Sequence, residues 1–466
     1  MIDTQSIRTK ILDLAMRGQL TEQLPEDGTA EELYQQIQAE KQELIKAGKI
    51  KKEKPLPEIT EGEKPFEIPE SWKWVRLGKV ITLVSGTDYK PEEYNDQKRG
   101  IPYITGASNL LPKGVLINRW TENPRCIANC GDVLLVCKGS GYGKVAICDI
   151  EVAHIARQIM AIKKTDSLVM KYILYYLMAN YDSLKSKGQG LIPGVDRQNV
   201  LNMQFPLPPL AEQQRIVERV QRAFSTLDTI DELQTKYADN LAVLKSKLID
   251  AAIQGKLTEQ LPEDGTAEEL YQQIQEEKQA LIRAGKIKKE KPLPEITEGE
   301  IPFEIPKSWK WCRLGEVVTL VSGTDYKPEE YNDQNRGIPY ITGASNLLPD
   351  GVLINRWTEN PRCIANCGDV LLVCKGSGYG KVAMCDIEVA HIARQIMAIK
   401  KSDLLVMKYF LYFLMANFAY LKGRGQGLIP GVDRNSVLNM LLPLPPLAEQ
   451  KRIVARLDQA LAMIGV

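Results

Sequence analysis

The chain has 466 residues, 44% hydrophobic and 26% charged, with a formal net charge of +1. That balance suits a folded protein with several cores, excludes wholesale disorder, and gives no global field toward a polyanion or a membrane. No run of ~18 apolar residues offers a bilayer span, and nine cysteines spread along the chain fit a reducing cytoplasm better than a disulfide framework.

In chain order, residues 1–17, with Asp3, Arg8, Lys10, Asp13 and Arg17, predict an amphipathic helix rather than a signal peptide. Residues 18–65 predict a helical arm and a charged connector. The arm opens on a turn-rich LPEDG, and its short Glu/Gln-rich helix has a threonine N-cap and a glycine stop (Thr266 and Gly285 in the second copy). The connector KIKKEKPLPEITEGE reads as extended and solvated. Residues 66–209 form a module of short β-branched runs broken by Gly, Asn and Pro (VITLVSG, GIPYITG, GVLIN, GDVLLVCKGSG, KVAIC). After them come a helix from Leu168 to about Lys185, the loop GQGLIPGVDRQ and the strand-like NMQFPLPPL. Residues 210–254 predict one long helix, with apolar side chains mostly three or four apart, about 66 Å long if helical throughout. Its stripe, including Ile216, Val220, Leu241, Leu244 and Leu248, is expected to be buried in a helix seam.

The order then repeats: arm and connector at 255–302, module at 303–446, helix at 447–466. At an offset of 237, residues 82–164 and 319–401 differ at only 3 of 83 positions: Lys98/Asn335, Lys113/Asp350 and Ile147/Met384. Two full periods would need 474 residues; the eight that are missing correspond to Ile230–Tyr237, inside the long helix. The second copy of that helix is therefore split between the two ends of the sequence, which predicts a circular, pseudo-twofold arrangement. The fold class expected is α+β: two pseudo-twofold-related α/β modules separated by two long antiparallel helices, a coiled-coil-like spacer.

Catalytic signatures are lacking. Lys138-Gly-Ser-Gly-Tyr-Gly-Lys144 departs from the phosphate-binding loop, because Lys138 stands where its first glycine belongs and Val145 follows Lys144. It reads as a hairpin turn or as a loop whose two lysines approach a nucleic-acid phosphate. His154 and His391 are the two histidines of the sequence, too few for a histidine-rich metal centre, and the Cys126/Cys130 spacing and its repeat do not form a zinc knuckle. No catalytic and no metal site is expected. The charges segregate: residues 66–204 carry 18 Lys and Arg against 13 Asp and Glu, and residues 303–441 carry 16 against 13, so two mildly basic modules sit in an acidic frame.

Polar groups in the module turns are the candidate DNA-binding residues. In the first copy they are Thr87, Asp88, Tyr89, Lys90, Thr105, Ser108, Asn109, Lys138, Ser140, Tyr142, Arg157, Gln158, Gln189 and Arg197. In the second they are Thr324, Asp325, Tyr326, Lys327, Thr342, Ser345, Asn346, Lys375, Ser377, Tyr379, Arg394, Gln395, Gln426 and Arg434. Arg and Lys suit guanine edges, Asn and Gln suit adenine, and Lys, Ser and Tyr suit phosphates.

The motifs IPESWKWVRLG, GIPYITGASNL, GDVLLVCKGSGYGKVAI and PLPPLAEQQRIV resemble the specificity subunit of Type I restriction–modification systems, over nearly the whole chain. The resemblance implies a non-catalytic subunit in which each target recognition domain reads half of a bipartite double-stranded DNA site. It implies docking of two methyltransferase subunits and of restriction/translocase subunits, which supply DNA adenine methylation and cleavage and bind S-adenosylmethionine, ATP and Mg; none of these cofactors is expected in this chain. Family members normally carry two unlike recognition domains, whereas these two nearly coincide. Two other readings remain open: a protein-interaction scaffold built on the long helices, and a standalone nuclease with an unrecognised site.

Overall fold

The computed structural model describes residues 1–111, 114–139, 141–180, 194–348, 351–376, 378–417 and 431–465. The chain forms two compact units, Met1–Thr235 and Lys236–Val466.

In unit 1, helix α1 (Thr4–Met16) starts at Asp3, whose carboxylate accepts from the Ser6 N–H at 3.0 Å. Helix α2 (Ala30–Lys46) starts with a capping box: Thr29 accepts from Glu32 N–H, and Glu32 accepts from Thr29 N–H. Among the described residues the module that follows has twelve strands: β1 (Lys73–Arg76), β2 (Leu83–Ser85), β3 (Ile101–Ile104), β4 (Leu110–Leu111), β5 (Gly114–Val115), β6 (Trp120–Thr121), β7 (Ile127–Asn129), β8 (Val133–Val136), β9 (Val145–Ile147), β10 (Val152–Ile155), β11 (Ile159–Ile162) and β12 (Gln204–Leu207). Helix α3 (Leu77–Val80) follows β1, and α4 (Met170–Ala179) and α5 (Arg197–Leu201) precede β12.

Two four-stranded sheets, ordered β6-β3-β10-β7 and β2-β11-β8-β9, make the body of the module. Side-chain alternation shows how they stack. On β8, Leu134 and Val136 enter one core with Ile104, Ala153 and Ile155 of the first sheet. Val133 and Leu135 enter a second core, with Tyr172 and Ile173 of α4 and Ile216 and Val220 of the long helix α6 (Leu210–Ile253). β11 divides in the same way, Ile159 and Ala161 to the first core, Met160 and Ile162 to the second. The second sheet is thus covered on both faces, which is why its strands read as continuous apolar runs.

α1 runs antiparallel along the first half of α6. Arg8 bridges to Asp228 at 2.7 Å and Asp231 at 2.9 Å, and the Ile2 N–H donates to Gln234. At the other end Glu212 is buried and accepts from Trp72 Nε1 at 2.7 Å, Gln23 Nε2 at 2.6 Å and Thr21 Oγ1 at 3.0 Å. Three donors satisfy a carboxylate that would otherwise be costly to bury, and they tie the arm and the start of the module to the start of α6.

Unit 2 repeats the plan with α7 (Ala267–Arg283), α8 (Leu314–Val317), α9 (Met407–Ala416), α10 (Arg434–Leu438) and α11 (Leu447–Met463). There Ile249, Ala252 and Ile253, at the end of α6, share a core with Ile453, Leu457 and Leu461 of α11. Glu449 takes the place of Glu212, accepting from Trp309 Nε1 at 2.8 Å.

Two expectations need correction. The helix stripe is buried only in part: Ile216 and Val220 are fully enclosed, Leu241 and Leu248 are half-buried, and Leu244 is 41% exposed. A helix packed along one side encloses one stripe. Leu244 lies off it, as does its counterpart Ile7, 40% exposed. The connector is extended but not wholly solvated. Buried Arg76 draws it onto the module by donating to Pro57 O, Glu58 O and Glu63.

Candidate nucleic-acid interface

The turns that carry the candidate residues are brought together by strand order. β10 and β11 are joined by Ala156–Gln158, β2 runs into residues 86–90, β3 into 105–109, and β8 into 138–144. Asp88 accepts from the backbone N–H of Arg157 at 3.0 Å and forms an ion pair with its Nε at 3.2 Å, while the Arg157 side chain stays 69% exposed. Arg394 and Asp325 make the same pair at 3.0 and 3.1 Å. Gln158 is exposed and leans over two glycine turns: a Cβ added at Gly106 would meet its Oε1 at 2.8 Å, one at Gly139 at 3.6 Å. Lys138 is exposed beside it, opposite Gly194 in an isolated bridge. Thr87, Lys90 and Ser108 are exposed, and Thr105 and Tyr142 are half-buried. Each unit therefore presents a cluster of guanidinium, amide, ammonium and hydroxyl groups.

Three candidates hold the surface in shape instead of facing outward. Asn109 is fully buried. Its Oδ1 accepts from Thr105 N, Thr105 Oγ1 and Gly106 N at 2.9–3.1 Å, and its Nδ2 donates to Leu116 O at 2.7 Å. Asn346 repeats this, so neither amide has an edge free for a base. Tyr89 is 8% exposed and stacks 4.2 Å from the ring of His154, as Tyr326 does on His391. Arg197 is engaged within the fold, donating to Leu83 O at 2.7 Å and pairing with Glu53; Arg434 does the same with Leu320 O and Glu290. Ser140, Gln189, Ser377 and Gln426 lie outside the described residues.

His154 anchors the 86–90 turn. It is fully buried; its Nδ1 accepts from Cys126 N at 3.1 Å and Arg125 N at 3.3 Å, so its Nε2 carries the proton and donates to Thr87 O at 2.8 Å. Burial holds its pKa below the ordinary range, against the pull of the Thr87 carbonyl. His391 is held in the same way.

Sequence reasoning passed over Arg125, whose guanidinium sits 5.2 Å above the Tyr89 ring and stays 55% exposed beside Glu93. It also left Leu111 and Leu116 unassigned, 45% and 49% exposed at the β4–β5 hairpin. A lone arginine after a proline and leucines in an apolar run carry no signal that separates surface from core. Buried Cys137 and Cys148 have thiols pushed up to about 11 by burial, and among the described residues no cluster of His, Cys, Asp or Glu could hold a metal ion.

Residues 69–236 and 306–464 match the family described as the Type I restriction modification DNA specificity domain. The chain is 28% identical to the Type I restriction enzyme EcoAI specificity subunit of Escherichia coli, over 98% of this chain and 88% of that one. It is 29% identical to the EcoEI specificity subunit of the same species, over 97% and 88%. Among solved structures it resembles the HsdS subunit from Thermoanaerobacter tengcongensis, with a TM-score of 0.51 and 21% identity over 86% of this chain and 92% of that one. It also resembles a chain from a study of complex assembly and conformational transition of the type I R-M system, with a TM-score of 0.63 and 21% identity over 86% and 93%.

Proposed function

Because the chain belongs to the Type I restriction modification DNA specificity family, we propose that each of its units reads one half of a bipartite double-stranded DNA site through the cluster around Arg157 and Gln158, and around Arg394 and Gln395. The chain is the non-catalytic specificity component of a type I restriction–modification system. Methyl transfer and cleavage, with S-adenosylmethionine, ATP and Mg, fall to partner subunits.

The observation that carries the reading is the exposed, braced arginine. Asp88 bonds the Arg157 backbone N–H and pairs with its Nε, and the side chain is 69% exposed, so the remaining guanidinium N–H groups are accessible to a bidentate contact of the kind that suits guanine O6 and N7. Gln158 beside it has the donor–acceptor pair that suits adenine. Lys138 supplies a phosphate contact that positions without specifying. A fixed side chain loses less conformational freedom on binding than a free one.

The partners we assign are two methyltransferase subunits, one to each pseudo-equivalent helical surface, with restriction/translocase subunits joining them. Apolar side chains left open on the helices, Ile7 in unit 1 and Leu244 in unit 2, support a protein contact there. A mobility-shift assay with the methyltransferase present tests the function: a complex confined to one duplex sequence is the expected result, and equal retention of all duplexes would refute it.

A further inference from the structure

A second surface in each unit is lined by residues other than Arg157, Gln158 and Lys138 or their counterparts. Between α2, the connector and β2 runs a groove of about 940 Å³ in unit 1, and its counterpart between α7, the second connector and Leu320–Ser322 measures about 1080 Å³. Eight cationic side chains and one acidic one line the groove in unit 1. Four of the cations are already engaged. Lys41 caps α3 by donating to Gly78 O at 2.9 Å and Ile81 O at 2.7 Å, and Lys79, Arg125 and Arg197 pair with Glu58, Glu93 and Glu53. Lys49, Lys51, Lys52 and Lys54 are exposed and form no ion pair among the described residues. The groove floor is aliphatic, with Ile45, Ile50 and Val84 each half-buried. β2 is the edge of its sheet, and no strand among the described residues covers its outer side.

We propose that these two grooves bind extended acidic polypeptide segments, one per unit. Three features select that occupant. Lys51, Lys52 and Lys54 follow the turn at Lys49 that ends α2, and give a run of positive charge of about 10 Å at ~3.3 Å per residue, several residues of another chain in length. A single small anion would meet only one or two of them. The half-buried aliphatic floor accepts alternate apolar side chains of a strand whose carboxylates face the lysines, whereas a phosphate backbone gains nothing from an apolar floor. The volume is that of a ligand cleft, sized for a short segment of one chain.

The inference does not depend on DNA reading, and the two can fail separately. The test uses the full chain and a fluorescent ten-residue peptide alternating Glu and Val, followed by anisotropy. Saturable binding with two peptides per chain is expected, together with no binding of the same peptide carrying Lys for Glu. Combining Lys51→Glu and Lys52→Glu with Lys288→Glu and Lys289→Glu should weaken it at least tenfold, while the unfolding midpoint and the affinity for a duplex without a target site stay unchanged. Absence of binding by the Glu peptide, or equal binding by the four-fold variant, would overturn the proposal. A drop in duplex affinity in that variant would overturn it as well, and would make the lysines a phosphate-binding surface. All four side chains are exposed, so the substitutions leave the cores intact.

Discussion

The Asp88 carboxylate holds Arg157 at two points, the backbone N–H at 3.0 Å and the guanidinium Nε at 3.2 Å, while the arginine stays 69% exposed. A base-reading arginine held in this way has two separable parts. Arg157→Ala together with Arg394→Ala removes the reader and should cost about 1–3 kcal/mol of discrimination at each half-site. Asp88→Ala together with Asp325→Ala removes only the brace, so the loss should be smaller and should fall on affinity more than on base preference. Competition binding with single-base variants of the target separates the two.

Lys138 and Lys375 should behave differently. Replacing both with alanine should weaken binding to all duplexes alike and reduce the slope of log K against log salt by about two, since each phosphate left without its lysine lowers the slope by about 0.9. An unchanged slope would mean that neither lysine touches phosphate.

Helix burial gives a contrast in stability. Val220→Asp places a charge in a fully enclosed position and should destabilise unit 1 by several kcal/mol. Leu244→Asp, at a position 41% exposed, should change the unfolding midpoint little. If Leu244 lies on the docking surface, the same substitution should lower the saturating ratio of methyltransferase to this chain from two toward one, read by analytical ultracentrifugation.

The buried histidines set a pH dependence. His154 and His391 have folded-state pKa values lowered from 6.5, chiefly by burial. The unfolded chain therefore binds more protons between the folded value and 6.5, and stability rises with pH through that window. Their contribution is complete above about 6.5 and is lost as pH falls below it, because a second ring proton at Nδ1 would face the Arg125 and Cys126 N–H groups. Denaturant melts at pH 7.5 and 5.5 should show this loss, and His154→Gln with His391→Gln should flatten that part of the profile.

The duplication and the helix over Leu210–Ile253 were legible in the sequence because one needs only self-comparison and the other is a long periodic stripe with few breaks. β10 and β11 were not, although β11 is an inner strand of its sheet: each has four residues, and only Ala156–Gln158 separates them. Tyr89 and Asn109 stand in polar, glycine-flanked turns and so resemble surface residues; stacking on His154 and the closing of the 105–109 turn decide their burial, and both depend on residues distant in sequence or on turn geometry. Arg157 and Gln158 were legible as candidates, but the brace from Asp88, 69 residues away, was not.

The two nearly identical modules should read two equal half-sites. From Thr87 to Gln158 every candidate reader is the same in both copies, so the same bases should be chosen twice. Read on opposite strands, two equal half-sites form an interrupted palindrome with an unspecified spacer; read on the same strand, they form a direct repeat. The measurement is the methylated motif of a genome that carries this gene with its methyltransferase, read by methylation-sensitive sequencing. Two reverse-complementary half-sites around a fixed gap are expected, and two unrelated half-sites would refute equal reading by the two units.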